Sequence, residues 1–325
     1  MPLRACLFGF GKVGKAFASL LISKRDELEK LGIRINITCI ITRKFKVFNE
    51  GGINLYNALT SLEDIGKSFD NLLDLIREGK FDYVFDFTSS SYNDGEPGYT
   101  IIREAVSNEV NVITASKAPL ALHFKEIMDM VKRKGVKFRY QATVMSGTPS
   151  INLKEVLPLR RVKRIRGILN GTTNFILSKM EEGMKFEEAI AEAKKLGYAE
   201  EDPSTDINGI DTAAKLTILL NTYIKEGFTI RDIRVQGIQG ISSEKVKEAK
   251  RRRRKIRLVG DSMELKVSPT EIGEEDVLYS VNGVNNCIEF ETEFGNLSII
   301  GVGAGPTNAA YGALSDLIIA ETKKY

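Results

Sequence analysis

The sequence predicts an α/β protein in two parts: residues 1–145 as a domain on a parallel sheet, and 146–303 as an α+β domain, with 304–325 as a closing helical segment. Three observations predict this. Short β-branched runs alternate with longer amphipathic runs through the first 140 or so residues. Beyond about residue 145 the strand-like runs carry polar alternation, the mark of an antiparallel sheet with one solvated face. The length of 325 residues exceeds one typical domain.

Taken in order, LRACLFG (3–9), IRINITCIIT (33–42), YVFDFT (83–88), NVITA (111–115) and VKFRYQA (136–142) read as buried strands. Between them, residues 12–31, 69–79, 98–108 and 121–135 carry helical periodicity. Near-continuous apolar strands joined by helices imply a parallel sheet covered on both faces. In the second part, residues 162–171, 256–261, 263–272, 285–294 and 297–302 read as strands, with helices near 175–197 and 208–221. AAYGALSDLIIAETKKY (309–325) reads as a helix.

Composition excludes several classes. The chain is 42% hydrophobic and 28% charged, ordinary for a globular protein with a full core. Its net charge of +4 gives a weak overall field, so no nucleic-acid partner is expected. The three cysteines form no CxxC pair, which argues against zinc and a disulfide framework. The single histidine, His123, sits in a helical apolar run, so a Ser-His-Asp or Cys-His nucleophile has little to stand on. Lys12 and Lys15 interrupt the first apolar run, unlike a signal peptide. Glycines and a proline break the longest uncharged stretch, so no membrane span is expected and the location expected is cytoplasmic. KRRRRK (250–255) reads as a solvated helix end.

GFGKVG, from Gly9 through Gly11, Lys12 and Val13 to Gly14, follows a strand and opens a helix. Gly9 permits a tight turn, Gly11 admits a pyrophosphate against backbone, and Gly14 lets helix and strand pack closely. In an alternating chain this predicts a Rossmann-type, dinucleotide-binding sheet. The second strand ends in CIITRKFKVF, where Arg43, Lys44 and Lys46 precede any acid. A base there reads a 2′-phosphate, so NADP is favoured over NAD. Later strands end in Thr88 and Ser89, and in Ser116 and Lys117, the strand ends where such sheets bind ligands.

AEEDPSTDINGIDTAAKL (199–216) places five carboxylates ahead of Lys215. Asp211 and Lys215 are four apart and share a helix face. An ion pair on a helix explains that spacing, but the following apolar run implies burial, and the acids exceed what capping needs. Acids with lysines suit a zwitterion. On these residues an oxidoreductase of a small amino acid and a dinucleotide-sensing binding protein both remain open.

Across nearly its whole length the chain resembles homoserine dehydrogenase, in a short form without kinase or regulatory domain. The motifs are GFGKVG, FDFTSS, ITASKAPLA, YQATVMSGTPSIN, GILNGTTNFIL, GYAEEDPSTDINGIDTAAKLTIL and GVGAGPTNAAYGAL. The resemblance implies reversible hydride transfer between L-homoserine and L-aspartate 4-semialdehyde with NADP or NAD, in threonine, isoleucine and methionine biosynthesis. It implies Lys215 as proton donor and acceptor, with Asp211 and Glu200 binding homoserine and Asp206 as a further contact. Lys117 would reach nicotinamide and substrate, while Asn170, Gly171 and Thr172 would border the substrate. Gly197 and Gly305 would lie near the cofactor, Gly305 returning the C-terminal helix to the nucleotide domain. A homodimer through the second domain is implied. So is a monovalent cation such as sodium at Gln141, Val144, Ser146 and Thr148. Many members carry glutamate at the first of these positions; Gln141 lacks that charge, which weakens cation binding.

Overall fold

The computed structural model describes residues 1–65, 73–78 and 80–322. Its elements follow the chain as β1 (Leu3–Phe8), α1 (Lys12–Ser23), α2 (Arg25–Lys30), β2 (Ile35–Ile41), β3 (Lys46–Phe48), α3 (Leu55–Ile65), α4 (Asp74–Arg77), β4 (Tyr83–Asp86), α5 (Gly98–Ser107), β5 (Asn111–Thr114), α6 (Lys117–Lys134) and β6 (Phe138–Arg139). Then come β7 (Val162–Ile168), α7 (Gly171–Glu181), α8 (Phe186–Lys195), α9 (Ser204–Ile207), α10 (Ile210–Tyr223), β8 (Arg234–Val235), α11 (Ser243–Arg251), β9 (Arg254–Asp261), β10 (Lys266–Gly273), β11 (Asn285–Thr292), β12 (Gly295–Val302) and α12 (Pro306–Thr322). They form two compact units, one of residues 1–147 with 305–325, the other of 148–304.

The first unit holds a six-stranded sheet in the order β3-β2-β1-β4-β5-β6. All neighbours are parallel except β3, which runs antiparallel to β2. β1 has β2 on one side and β4 on the other, so the strand order reverses at its carboxyl end, where open α/β sheets bind ligands. Phe17 of α1 packs on Phe85 and Phe87, with ring centroids 4.6 and 5.2 Å apart. α12 adds Ala310, Ala313, Leu314 and Leu317 to the same buried cluster. Small residues bring α12 close to its neighbours: a Cβ on Gly312 would lie 2.5 Å from Ser146 O.

The second unit's sheet runs β12-β11-β7-β9-β10-β8, antiparallel apart from the β10–β8 pair. α10 is buried at every residue from Asp211 to Thr222, as an apolar run flanking Lys215 requires. β12 is more open, with Ile300 48% and Val302 44% exposed. Among the described residues no helix is long and apolar enough to cross a membrane.

Local differences from the sequence reading have physical causes. The helix expected over 12–31 is two, α1 and α2, joined at Lys24. The strand expected over 136–142 ends at Arg139. There the fully buried Asp316 of α12 accepts from Arg139 Nε at 3.0 Å and from the Gln141 backbone N–H at 2.7 Å, and the chain turns into a 3₁₀ segment at Gln141–Thr143. Of the helix expected over 69–79, Asp74–Arg77 is helical, while residues 69–72 and 79 lie outside the described residues. Residues 323–325 of the last helix also lie outside them. KRRRRK spans more than a helix end: α11 stops at Arg251, Arg253 turns with φ +56°, and Arg254 and Lys255 open β9.

Candidate functional site

In the first unit each glycine of GFGKVG has its own steric reason. Gly9 sits at φ +88°, and a Cβ there would lie 2.7 Å from Phe87 O. A Cβ on Gly14 would lie 2.3 Å from Gly9 O, so the helix can approach the turn only at glycine. Gly11 caps α1, is exposed, and has nothing within 4 Å of an added Cβ. Gly9 and Gly14 are therefore closed against protein, while Gly11 leaves backbone open beside the N-terminus of α1, where Lys12 and Val13 begin the helix. That is a cradle suited to a pyrophosphate.

Around it stand the ends of β4 and β5. Asp86 is fully buried and accepts from Thr88 N at 2.9 Å, Thr88 Oγ1 at 2.6 Å and Thr114 Oγ1 at 2.9 Å. Burial raises its pKa, and these three bonds oppose the rise. Thr114 Oγ1 then accepts from Ser116 N at 2.9 Å, and the Ser116 and Ser90 hydroxyls are 2.7 Å apart. Asp86 thus ties the strand end bearing Thr88 and Ser89 to the one bearing Ser116 and Lys117. Sequence reading passed over Asp86; an acid inside an apolar strand was the available signal. Ser89 is exposed, and Lys117 is the first residue of α6.

Arg43 and Lys44 are exposed in a turn between β2 and β3. Thr42 shapes it, its Oγ1 accepting from Phe45 N at 2.9 Å and Lys44 N at 3.2 Å. Lys46, grouped by sequence with Arg43 and Lys44 as a base for the 2′-phosphate, is buried instead. It is 7% exposed, and burial lowers its pKa. The β2–β3 hairpin turns it under the sheet, near Cys39 and Cys6.

The second unit gathers a polar cluster at the start of α7 and α10. Asn170 caps α7, its Oδ1 accepting from Thr173 N at 2.8 Å. Its Nδ2 donates to Asp206 Oδ1 at 2.6 Å and to Asp211 Oδ2 at 2.9 Å. Lys215 Nζ lies 2.7 Å from Asp211 Oδ2 and donates to Leu169 O at 2.6 Å. Asp211 and Lys215 are 7% and 6% exposed. Thr172 Oγ1 donates to Tyr198 O at 2.7 Å, and a Cβ on Gly171 would lie 2.7 Å from Val284 O. The carboxylates before Lys215 therefore divide. Asp206 and Asp211 join the cluster, and Asp202 accepts from Ser204 N at 3.0 Å at the start of α9. Glu200 and Glu201 are exposed. Gly197, at φ +76°, is exposed beyond α8, and Gly305, at φ +115°, precedes α12.

The Gln141 side chain, 1% exposed, donates from Nε2 to Ser146 O at 3.1 Å and to Val144 O at 3.4 Å. Thr148 belongs to the second unit, where its hydroxyl donates to Val302 O at 3.0 Å. The three cysteines are buried and free, and burial pushes the Cys287 thiol up to about 12. None is a poised nucleophile.

Comparisons with known proteins agree with this arrangement. The profile of the family described as homoserine dehydrogenase matches residues 149–318. A homoserine dehydrogenase of Sulfurisphaera tokodaii is 47% identical over 98% of both chains. The crystal structure of a putative homoserine dehydrogenase from Archaeoglobus fulgidus superposes with a TM-score of 0.89, at 34% identity, over 97% of this chain and 98% of that one. A hyperthermophilic archaeal homoserine dehydrogenase in complex with NADPH superposes with a TM-score of 0.83, at 29% identity, over 98% of each. An NAD(+)-dependent homoserine dehydrogenase of Pseudomonas canavaninivorans is 32% identical over 97% of this chain and 95% of its own. With the acid–lysine cluster and the glycine cradle in place, and with identity running end to end, the chain belongs to the homoserine dehydrogenase family.

Proposed function

We infer that the chain interconverts L-homoserine and L-aspartate 4-semialdehyde with a nicotinamide dinucleotide, in the biosynthesis of threonine, isoleucine and methionine. The observation that carries this is the cluster of buried Lys215, Asp211 and Asn170 with the half-buried Asp206. The cradle at Gly11 fits a dinucleotide, with Gly9, Gly11, Lys12, Val13 and Gly14 against the pyrophosphate and Thr88, Ser89, Lys117, Gly197 and Gly305 as further contacts. When bound, the nicotinamide supplies or accepts the hydride.

The chain's own groups handle the proton and the zwitterion. Lys215 has three N–H donors, and two meet Asp211 and Leu169 O. The third is left to protonate the aldehyde oxygen during reduction; in oxidation the neutral amine takes the hydroxyl proton back. Asp211 pairs with Lys215 Nζ at 2.7 Å, and Asn170 holds the Asp211 and Asp206 carboxylates in place. Asp211 and Glu200 bind homoserine, with Asp206 as a further contact, while Asn170, Gly171 and Thr172 border it. Lys117 contacts cofactor and substrate. Arg43, with Lys44 beside it, favours NADP by pairing with a 2′-phosphate. The exposed residues of β12, with Ile300 48% and Val302 44% exposed, support a homodimer through the second unit. Oxidation of NADPH with aspartate semialdehyde, followed at 340 nm as a steady-state rate, tests the reaction. Absence of turnover with both NADPH and NADH would refute it.

A further inference from the structure

In the loop 141–147 two backbone carbonyls converge on one side-chain amide. Met145 and Ser146 both adopt φ +53°, left-handed conformations that neither residue favours. They lie between and at the residues whose carbonyls, Val144 O and Ser146 O, both accept from the Gln141 carboxamide. The amide's orientation follows from its partners. Reversed, Oε1 would face two carbonyl oxygens with no proton among the three. The nitrogen must therefore face them, bringing two N–H groups and partial positive charge to the point where acceptors converge.

We propose that the Gln141 carboxamide replaces the monovalent cation in this chain, so that the loop folds and the protein works without an alkali metal ion. This rests on the assignment of 141, 144 and 146 as the positions of the family's cation site. A carboxylate at 141 would place acceptors alone in the loop, and a cation would then be needed to hold the oxygens together. With glutamine the residues present do not fit a cation, because the donor already occupies the carbonyls' approach. The rest of the loop is fixed by protein. Asp316 accepts the Gln141 backbone N–H, Gly312 leaves only enough room for Ser146 O, and a Cβ on Gly147 would lie 2.8 Å from Asn308 O. All of these clamps come from α12.

Thermal unfolding and steady-state turnover are measured for the parent and for Gln141→Glu in NaCl, KCl and tetramethylammonium chloride at equal ionic strength. The parent should show the same Tm within about 1 °C and the same KM in all three salts. Gln141→Glu should gain roughly 5 °C in sodium or potassium over tetramethylammonium, the mark of a ligand that binds the native state alone. An alkali-specific rise in the parent's Tm, or a Glu variant indifferent to the ion, would overturn the proposal. Should that variant fail to fold, the parent's salt comparison decides alone. Failure of the assigned reaction would look different: no turnover in any salt.

Discussion

Removing Lys215 separates its chemical role from its structural one. In the native chain its ammonium is 2.7 Å from Asp211 Oδ2, and the two side chains are 7% and 10% exposed. Breaking a buried pair costs about 3–5 kcal/mol, because one charge stays behind unpaired. Asp211 keeps the Asn170 amide at 2.9 Å, which places Lys215→Ala at the lower end, about 3 kcal/mol. That loss lowers Tm by roughly 6–12 °C, which leaves a folded protein to assay. Turnover should fall by about 10²–10⁴, the usual contribution of a positioned general acid or base. Nucleotide affinity should change little, since the cradle belongs to the first unit. Stopped-flow or steady-state rates, with NADPH affinity from fluorescence titration, provide the two readings. A variant within about threefold of the parent's kcat would refute proton transfer by Lys215. Equal losses in nucleotide affinity and turnover would refute it too, reducing Lys215 to a structural cation.

Arg43→Ala should weaken NADP by about ten- to hundredfold, the loss of one charge-assisted contact, and leave NAD affinity unchanged; calorimetric titration of both nucleotides checks it. Burial pushes the Asp261 carboxyl up, but the Arg164 guanidinium and the Met263 N–H outweigh it and hold its pKa below the usual carboxylate range. A depressed folded pKa means stability present above the ordinary carboxylate pKa and lost as pH falls through the lowered one. Asp261→Asn should therefore cost about 1–3 kcal/mol at neutral pH and progressively less below pH about 4, as urea unfolding across pH will show. Changing Arg251, Arg252 and Arg253 to glutamine should leave turnover intact; salt-sensitive nucleic-acid binding by the parent, lost in this variant, would contradict a solvated run.

The sheet order around β1 was legible because GFGKVG, strand periodicity and helix length all point to one arrangement. β3 was not: three residues carry too little pattern, and KVF becomes a strand only through pairing with Cys39–Ile41. Lys46 was misjudged for the same reason, since hairpin register decides which face a side chain takes. Asp211 and Lys215 were legible from their spacing, but the acid run could not say that Asp202 serves a turn while Asp206 reaches Asn170. That division depends on contacts 36 residues apart. Asp316 ending β6 lies further still from any local signal, 175 residues from Gln141.

The placement of α12 bears on how the chain is made. The first unit's core needs Ala310, Ala313, Leu314 and Leu317, yet residues 148–304 are synthesised before them. At about 5–20 residues per second the ribosome leaves the amino-terminal sheet without its last helix for roughly 10–30 s. During that interval the hydrophobic flank of α1 stays open, and the intervening unit, continuous in sequence, is the one able to complete itself. A released chain ending at residue 304 should accordingly protect the Lys215 region from protease while Phe17 and Phe85 remain cleavable, and chaperone capture should concentrate on the segment made first.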